Sequence, residues 1–134
     1  MPEQSPHTPP CALVVDDDAL IRMDAAAILE DAGFVTLEAA HADAALELLR
    51  ERHPHLSLLF TDVQMPGDLD GFALARHAAG HWPHICIVVS SGLAKPAPGD
   101  LPDGAPFIAK PFSAQVVHDH LRDMLPEERK PPRL

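Results

Sequence analysis

Tyrosine is absent from this 134-residue chain, and aromatic residues together make up only 4% of it. Ala, Leu and Val must therefore fill the core. Basic residues are scarce as well: ten Lys and Arg stand against twenty Asp and Glu, for a formal charge of −10. That balance argues against nucleic-acid binding, which needs basic surface to displace the counterions of phosphates. A chain that meets other proteins fits better. No apolar run approaches the ~20 residues of a membrane span, and the N-terminal MPEQSPHTPP lacks the charged start and apolar middle of a secretion signal. A cytoplasmic protein is expected, with no nucleic acid and no membrane among its partners. Only two cysteines occur, Cys11 and Cys86, each inside an apolar run. They read as buried reduced thiols rather than as a disulfide or metal pair.

What is present is ordinary globular material, 46% hydrophobic and 22% charged, in a length suited to one domain. Proline is the exception, with 15 residues, most of them clustered in 1–10, 96–111 and 126–134. The first and last of these stretches lack apolar periodicity, so residues 1–10 and 126–134 read as flexible tails around a domain at 11–125. Inside it, short apolar runs alternate with helical patterns. Cys11 to Val15 is a strand. Asp18 can cap a helix carrying Ile21, Ala25, Ile28, Leu29 and Ala32, which Gly33 ends. Phe34 to Leu37 is a second strand, and Ala42, Ala45, Leu46 and Leu49 mark a second helix. Leu56 to Phe60 runs into Thr61 and Asp62. After the turn-rich VQMPGDLDG a third helix buries Phe72, Ala75 and Ala79, with Trp82 at its far end. Ile85 to Val89 is a β-branched fourth strand. LAKPAPGDLPDGAP opposes a long helix, because interior proline costs ~3 kcal/mol or more. Phe107 to Ala109 is a fifth strand, and Ser113 can cap a last helix with Val117, Leu121 and Met124. Five short, continuously apolar strands alternating with helices imply an α/β fold, a doubly wound parallel sheet covered on both faces.

Ligands of such sheets bind outside the carboxyl ends of the strands. Those ends carry Asp16, Asp17 and Asp18, then Asp62, then Ser90 with Ser91, then Lys110. An aspartate at one strand end is ordinarily a cap or turn residue. Three aspartates in a row are harder to place, since two charges ~4 Å apart repel by roughly 4 kcal/mol at an effective dielectric of about 20. Together with a distant carboxyl, hydroxyl and ammonium, they describe a small acidic pocket with a hydroxyl and a cation.

VVDDD, LLFTDVQMPG, IVVSSG and FIAKPF, in that order, resemble the receiver domains of two-component response regulators, in their stand-alone form. The resemblance covers residues 11–125. It implies a flavodoxin-like (βα)5 fold with strand order 2-1-3-4-5, here with a short or irregular fourth helix. It also implies that the strands of Cys11 and Cys86 are separated by the third strand, which disfavours a bridge between them. By the same resemblance Asp62 is the phosphoacceptor. Asp16, Asp17, Asp62 and the backbone carbonyl of Gln64 hold Mg²⁺, Ser90 is the switch hydroxyl, Lys110 the phosphate contact and Phe107 the switch aromatic. A Lys110–Pro111 cis peptide is implied too. The implied donor is a sensor histidine kinase or histidine phosphotransfer protein. Output then goes through contacts with a downstream protein, from a monomer or weak dimer and with no built-in DNA-binding or enzymatic domain. Other readings stay open: a phosphorylation-independent interaction module on the same fold, or a small Mg²⁺-dependent phosphatase. His77 and His81, four apart on the third helix, offer a ligand pair but no acidic or thiol partner, so they read as solvated surface.

Overall fold

The structure, a computed structural model, describes residues 9–93, 95–131 and 134. Five strands, β1 Cys11–Val15, β2 Val35–Ala39, β3 Leu56–Asp62, β4 Cys86–Ser91 and β5 Phe107–Ala109, form one sheet. All the pairings are parallel, and the order is β2-β1-β3-β4-β5. Helices α1 Ala19–Ala32, α2 Ala42–Arg52, α3 Gly71–His81 and α4 Ala114–Met124 cover its two faces. The expected fold and strand order are found.

Local chemistry sets the helix ends. The Asp18 carboxylate accepts from the Leu20 and Ile21 amides at 2.9 and 3.2 Å, and Gly33 closes α1 at φ 113°, where a side chain would be strained. Asp70 caps α3 through the Ala73 amide at 2.9 Å, and Ser113 caps α4 through that of Val116 at 3.2 Å. The strand pleat divides the core. Leu13, Val15, Leu59, Ile87 and Val89 pack with α2 and α3; Ala12, Val14, Leu58, Phe60, Val88 and Ile108 pack with α1 and α4.

Between β4 and β5 no helix forms among the described residues. The prolines remove the amides a helix would need, and turns replace it. The Asp100 amide donates to the Ala97 carbonyl at 3.0 Å, and that of Ala105 to Pro102 at 3.1 Å. Arg76 on α3 ties this strap down through the Asp100 carbonyl at 3.0 Å, while Leu101 and Ala105 pack on the core. The fourth βα repeat thus lacks its helix, with four α-helices in all among the described residues.

Two expectations need correction. Cys11 and Cys86 are free but half-buried, not buried, because each opens its strand at the rim of the sheet, with β3 between them. Burial still pushes both thiols above their ordinary pKa. Of the tail expected at 126–134, residues 126–131 and 134 are described, and they are held to the domain rather than loose. Glu127–Arg129 makes a 3-10 turn, the Arg129 guanidinium donates to the His84 carbonyl, and Leu134 packs against the α1/α4-side core. Of the N-terminal tail expected at 1–10, residues 1–8 lie outside the described residues. The Lys110–Pro111 peptide is cis.

Candidate functional site

Val14, Phe60, Val88 and Ile108 share the α1/α4 side of the sheet. Two residues on from each stand Asp16, Asp62, Ser90 and Lys110. The period of two therefore brings two carboxylates, a hydroxyl and an ammonium from four strands to one side of the carboxyl edge. Asp62 lies level with Ser90, and Ser90 with Ile108.

The Lys110 ammonium bridges the cluster, donating to Asp16 Oδ2 at 2.8 Å and to Asp62 Oδ1 at 3.0 Å. Asp16 and Asp62 are only 4% and 7% exposed. Asp17 is exposed beside them, and one carboxylate oxygen from each of Asp16, Asp17 and Asp62 lies within 4.8 Å of the others. Three carboxylates against one ammonium leave an excess of negative charge in a half-dry pocket. An all-oxygen donor set of this kind suits a hard divalent cation such as Mg²⁺, which takes one or two carboxylates and keeps several waters. The residues present fit that ion.

Burial penalises the ionised Asp62 and raises its pKa, Lys110 pulls against this, and the charge of Asp16 adds to the rise. Burial alone would lower the pKa of Lys110, but its hydrogen bonds to Asp16 and Asp62 and their charges overcome that and raise it. Lys110 therefore stays a cation throughout the neutral range.

The two serines of β4 part company. Ser90 is fully buried, and its hydroxyl has no hydrogen-bond partner among the described residues. Ser91, next along the strand, turns to the other side, where its hydroxyl accepts from the Leu93 amide at 3.2 Å. Phe107 is half-buried, lies level with Val89 and packs in that same α2/α3-side core. The couple expected between Ser90 and Phe107 does not match this register: Ser91 shares a face with Phe107, and Ser90 shares one with Asp62. Gln64 is exposed in the loop after β3.

Other contributors escaped the sequence. The Thr61 hydroxyl donates to the Asp62 carbonyl at 2.8 Å. Gly71 begins α3 so close to β3 that a Cβ there would fall 1.8 Å from the Asp62 carbonyl oxygen, and its amide donates to the Val63 carbonyl at 2.8 Å. The Asp70-Gly71 pair had read simply as part of a turn. Arg22 reaches back from α1 to the Asp16 carbonyl at 2.9 Å. No motif marks a long side chain folding back by six residues.

The sequence profile of the response regulator receiver domain matches residues 12–122. The sensor kinase CckA of Brucella abortus is 31% identical over 121 residues, 87% of this chain and 12% of that protein. The nitrogen assimilation regulatory protein NtrX of Azorhizobium caulinodans is 37% identical over 106 residues, 76% of this chain and 23% of that one. This chain thus spans under a quarter of the length of either relative. Among solved structures, the receiver domain of the hybrid histidine kinase CckA superposes with a TM-score of 0.73 at 29% identity, covering 87% of this chain and 99% of that one. The chain belongs to the receiver domain family of two-component response regulators.

Proposed function

We propose that Asp62 accepts a phosphoryl group from a phosphohistidine of a sensor kinase or phosphotransfer protein, and that the phosphorylated chain signals through protein contacts. The observation that carries this reading is Lys110 held between Asp16 and Asp62, with Asp17 alongside. A carboxylate attacking a dianionic phosphoryl group meets a partner of its own sign, so the site must first offset charge. Asp16, Asp17, Asp62 and the Gln64 carbonyl would hold Mg²⁺, which when bound supplies positive charge to the carboxylate and phosphoryl oxygens. An Asp62 oxygen bonds to phosphorus as the P–N bond of the donor breaks, and the electron pair of that bond stays with the imidazole. Lys110, already within hydrogen-bond distance of the Asp62 carboxylate, is placed to hold a phosphoryl oxygen. The chemistry is self-modification, not turnover of an external substrate, and its setting is the cytoplasm.

Phosphorylation adds roughly −1.5 to −2 charges and strong acceptor oxygens. A β4 hydroxyl drawn to them leaves room for an aromatic side chain to turn, a packing switch. The face that Ser91 shares with Phe107 supports Ser91, rather than Ser90, as its partner in that step. Lacking a hydroxyl, Phe107 acts by packing alone.

Incubation with acetyl phosphate and Mg²⁺, followed by intact mass, tests the reading. A phosphoryl adduct in the wild type that is absent from Asp62→Asn supports it. Turnover of external phosphoesters without an adduct would establish a phosphatase instead, and neither adduct nor turnover would establish an interaction module.

A further inference from the structure

Every polar atom of Asp16 is engaged. Its amide donates to the Ala39 carbonyl at 3.1 Å, Oδ1 accepts from the Asp18 amide at 2.9 Å, and Oδ2 accepts from Lys110 at 2.8 Å. The remaining atom, the carbonyl oxygen, accepts from Arg22 Nη1 at 2.9 Å. That carbonyl belongs to the peptide plane joining Asp16 to Asp17, so whatever fixes it also fixes where the Asp17 backbone departs. The guanidinium is itself held. Its Nε donates to Glu38 on β2 at 2.9 Å, and the Arg22 side chain is 19% exposed. One planar fork thus grips the Asp16 carbonyl and Glu38 at once, which a lysine, with a single flexible ammonium, would not reproduce.

We propose that Arg22 is a positioning residue: with Glu38 as its anchor, it sets the Asp16–Asp17 peptide so that the Asp17 carboxylate stands ready for the divalent ion. This rests on the reading of the acidic cluster as a Mg²⁺ site. Charge and geometry make opposite forecasts here, which makes the role testable. As a bare positive charge beside a dication, Arg22 opposes binding, and removing it should tighten Mg²⁺. As a device that orients Asp17, its removal should weaken Mg²⁺. Partners that orient metal ligands from outside typically cost roughly 10- to 100-fold in affinity when lost.

The experiment is calorimetric titration of Mg²⁺ into the wild type, Arg22→Gln, Arg22→Lys and Glu38→Gln, with thermal melts to confirm that each is folded. Amide chemical shifts of Asp17 and Asp18 serve as a second readout. Expected are about tenfold weaker Mg²⁺ binding in Arg22→Gln, a smaller loss in Arg22→Lys and Glu38→Gln, and displaced Asp17 and Asp18 amides in Arg22→Gln before any ion is added. Unchanged or tighter binding in a folded Arg22→Gln, beside a wild type that binds, overturns the positioning role and leaves the Mg²⁺ site standing. A wild type that takes up no Mg²⁺ overturns both.

Discussion

A single carboxylate, Asp62, shows how far the site is tuned at the expense of the fold. Its pKa is raised chiefly by burial, so the folded state prefers it protonated. The sign follows by linkage: the folded state is penalised once pH rises above that raised pKa and escapes the penalty below the unfolded value. Asp62→Asn should therefore melt a few degrees above the wild type at neutral pH in metal-free buffer, and the gap should close as pH is lowered through the Asp62 transition. Thermal melts across pH decide this; equal melting temperatures at pH 7 would show that Lys110 already offsets the burial. The two serines make a second case. The buried Ser90 hydroxyl has no partner among the described residues, so Ser90→Ala should leave stability unchanged or raised. Ser91→Ala should instead abolish the shift of the Phe107 ring resonances on phosphorylation. If Ser90→Ala abolishes that shift and Ser91→Ala does not, the face assignment is wrong. The sequence reading assigns the switch to Ser90. Two adjacent hydroxyls look alike until the register with Phe107 and Asp62 gives each a side.

At the scale of elements, sequence was most informative where the causes are local. Asp18, Gly33 and Ser113 cap or end helices as their positions suggest, because capping needs only the residue and the next turn. The prolines after Gly92 correctly opposed a helix, yet nothing in them told of the strap that Arg76 holds to α3, since that contact spans 24 residues. The start of α3 was likewise invisible. Gly71 is needed because the helix enters against the Asp62 carbonyl, a long-range approach that looks in sequence like one more loop glycine. Gly71→Ala should cost about 1–3 kcal/mol from overpacking and slow phosphorylation by displacing Asp62. Urea unfolding and the adduct rate together check it, and a variant with both unchanged would mean that α3 can retreat freely.

Over the whole molecule, the acidic site and a cluster of four imidazoles, His53, His77, His81 and His84, occupy opposite rims of the sheet. Away from the carboxyl edge, His77 and His81 stack with centroids 4.0 Å apart, Trp82 lies 5.5 Å from His53, and the His84 ring contacts the His53 carbonyl at 2.7 Å. The sequence had suggested solvated helix surface for His77 and His81. Their neighbours across α2 and the α3–β4 turn could not be known before the fold was. His77 is held below its ordinary value of 6.5 by burial, by His81 and by Arg50. Its contribution to stability is thus complete above pH 6.5 and falls away as pH drops through its lowered pKa. A loss of thermal stability with changing Trp82 fluorescence between neutral and mildly acidic pH should be smaller in His77→Gln; an identical profile would exclude the stack as its origin. At the other rim, four strands deliver the groups that make this chain a receiver, and the alternation and order legible in the sequence were enough to place Asp16, Asp17, Asp62 and Lys110 together. The most direct test of that convergence is the yield of phosphoryl adduct from acetyl phosphate as Mg²⁺ is varied, in the wild type and in Asp17→Asn. The account predicts no adduct in EDTA, a saturable rise with Mg²⁺, and a need for more Mg²⁺ in Asp17→Asn. Equal adduct with and without the ion would contradict it.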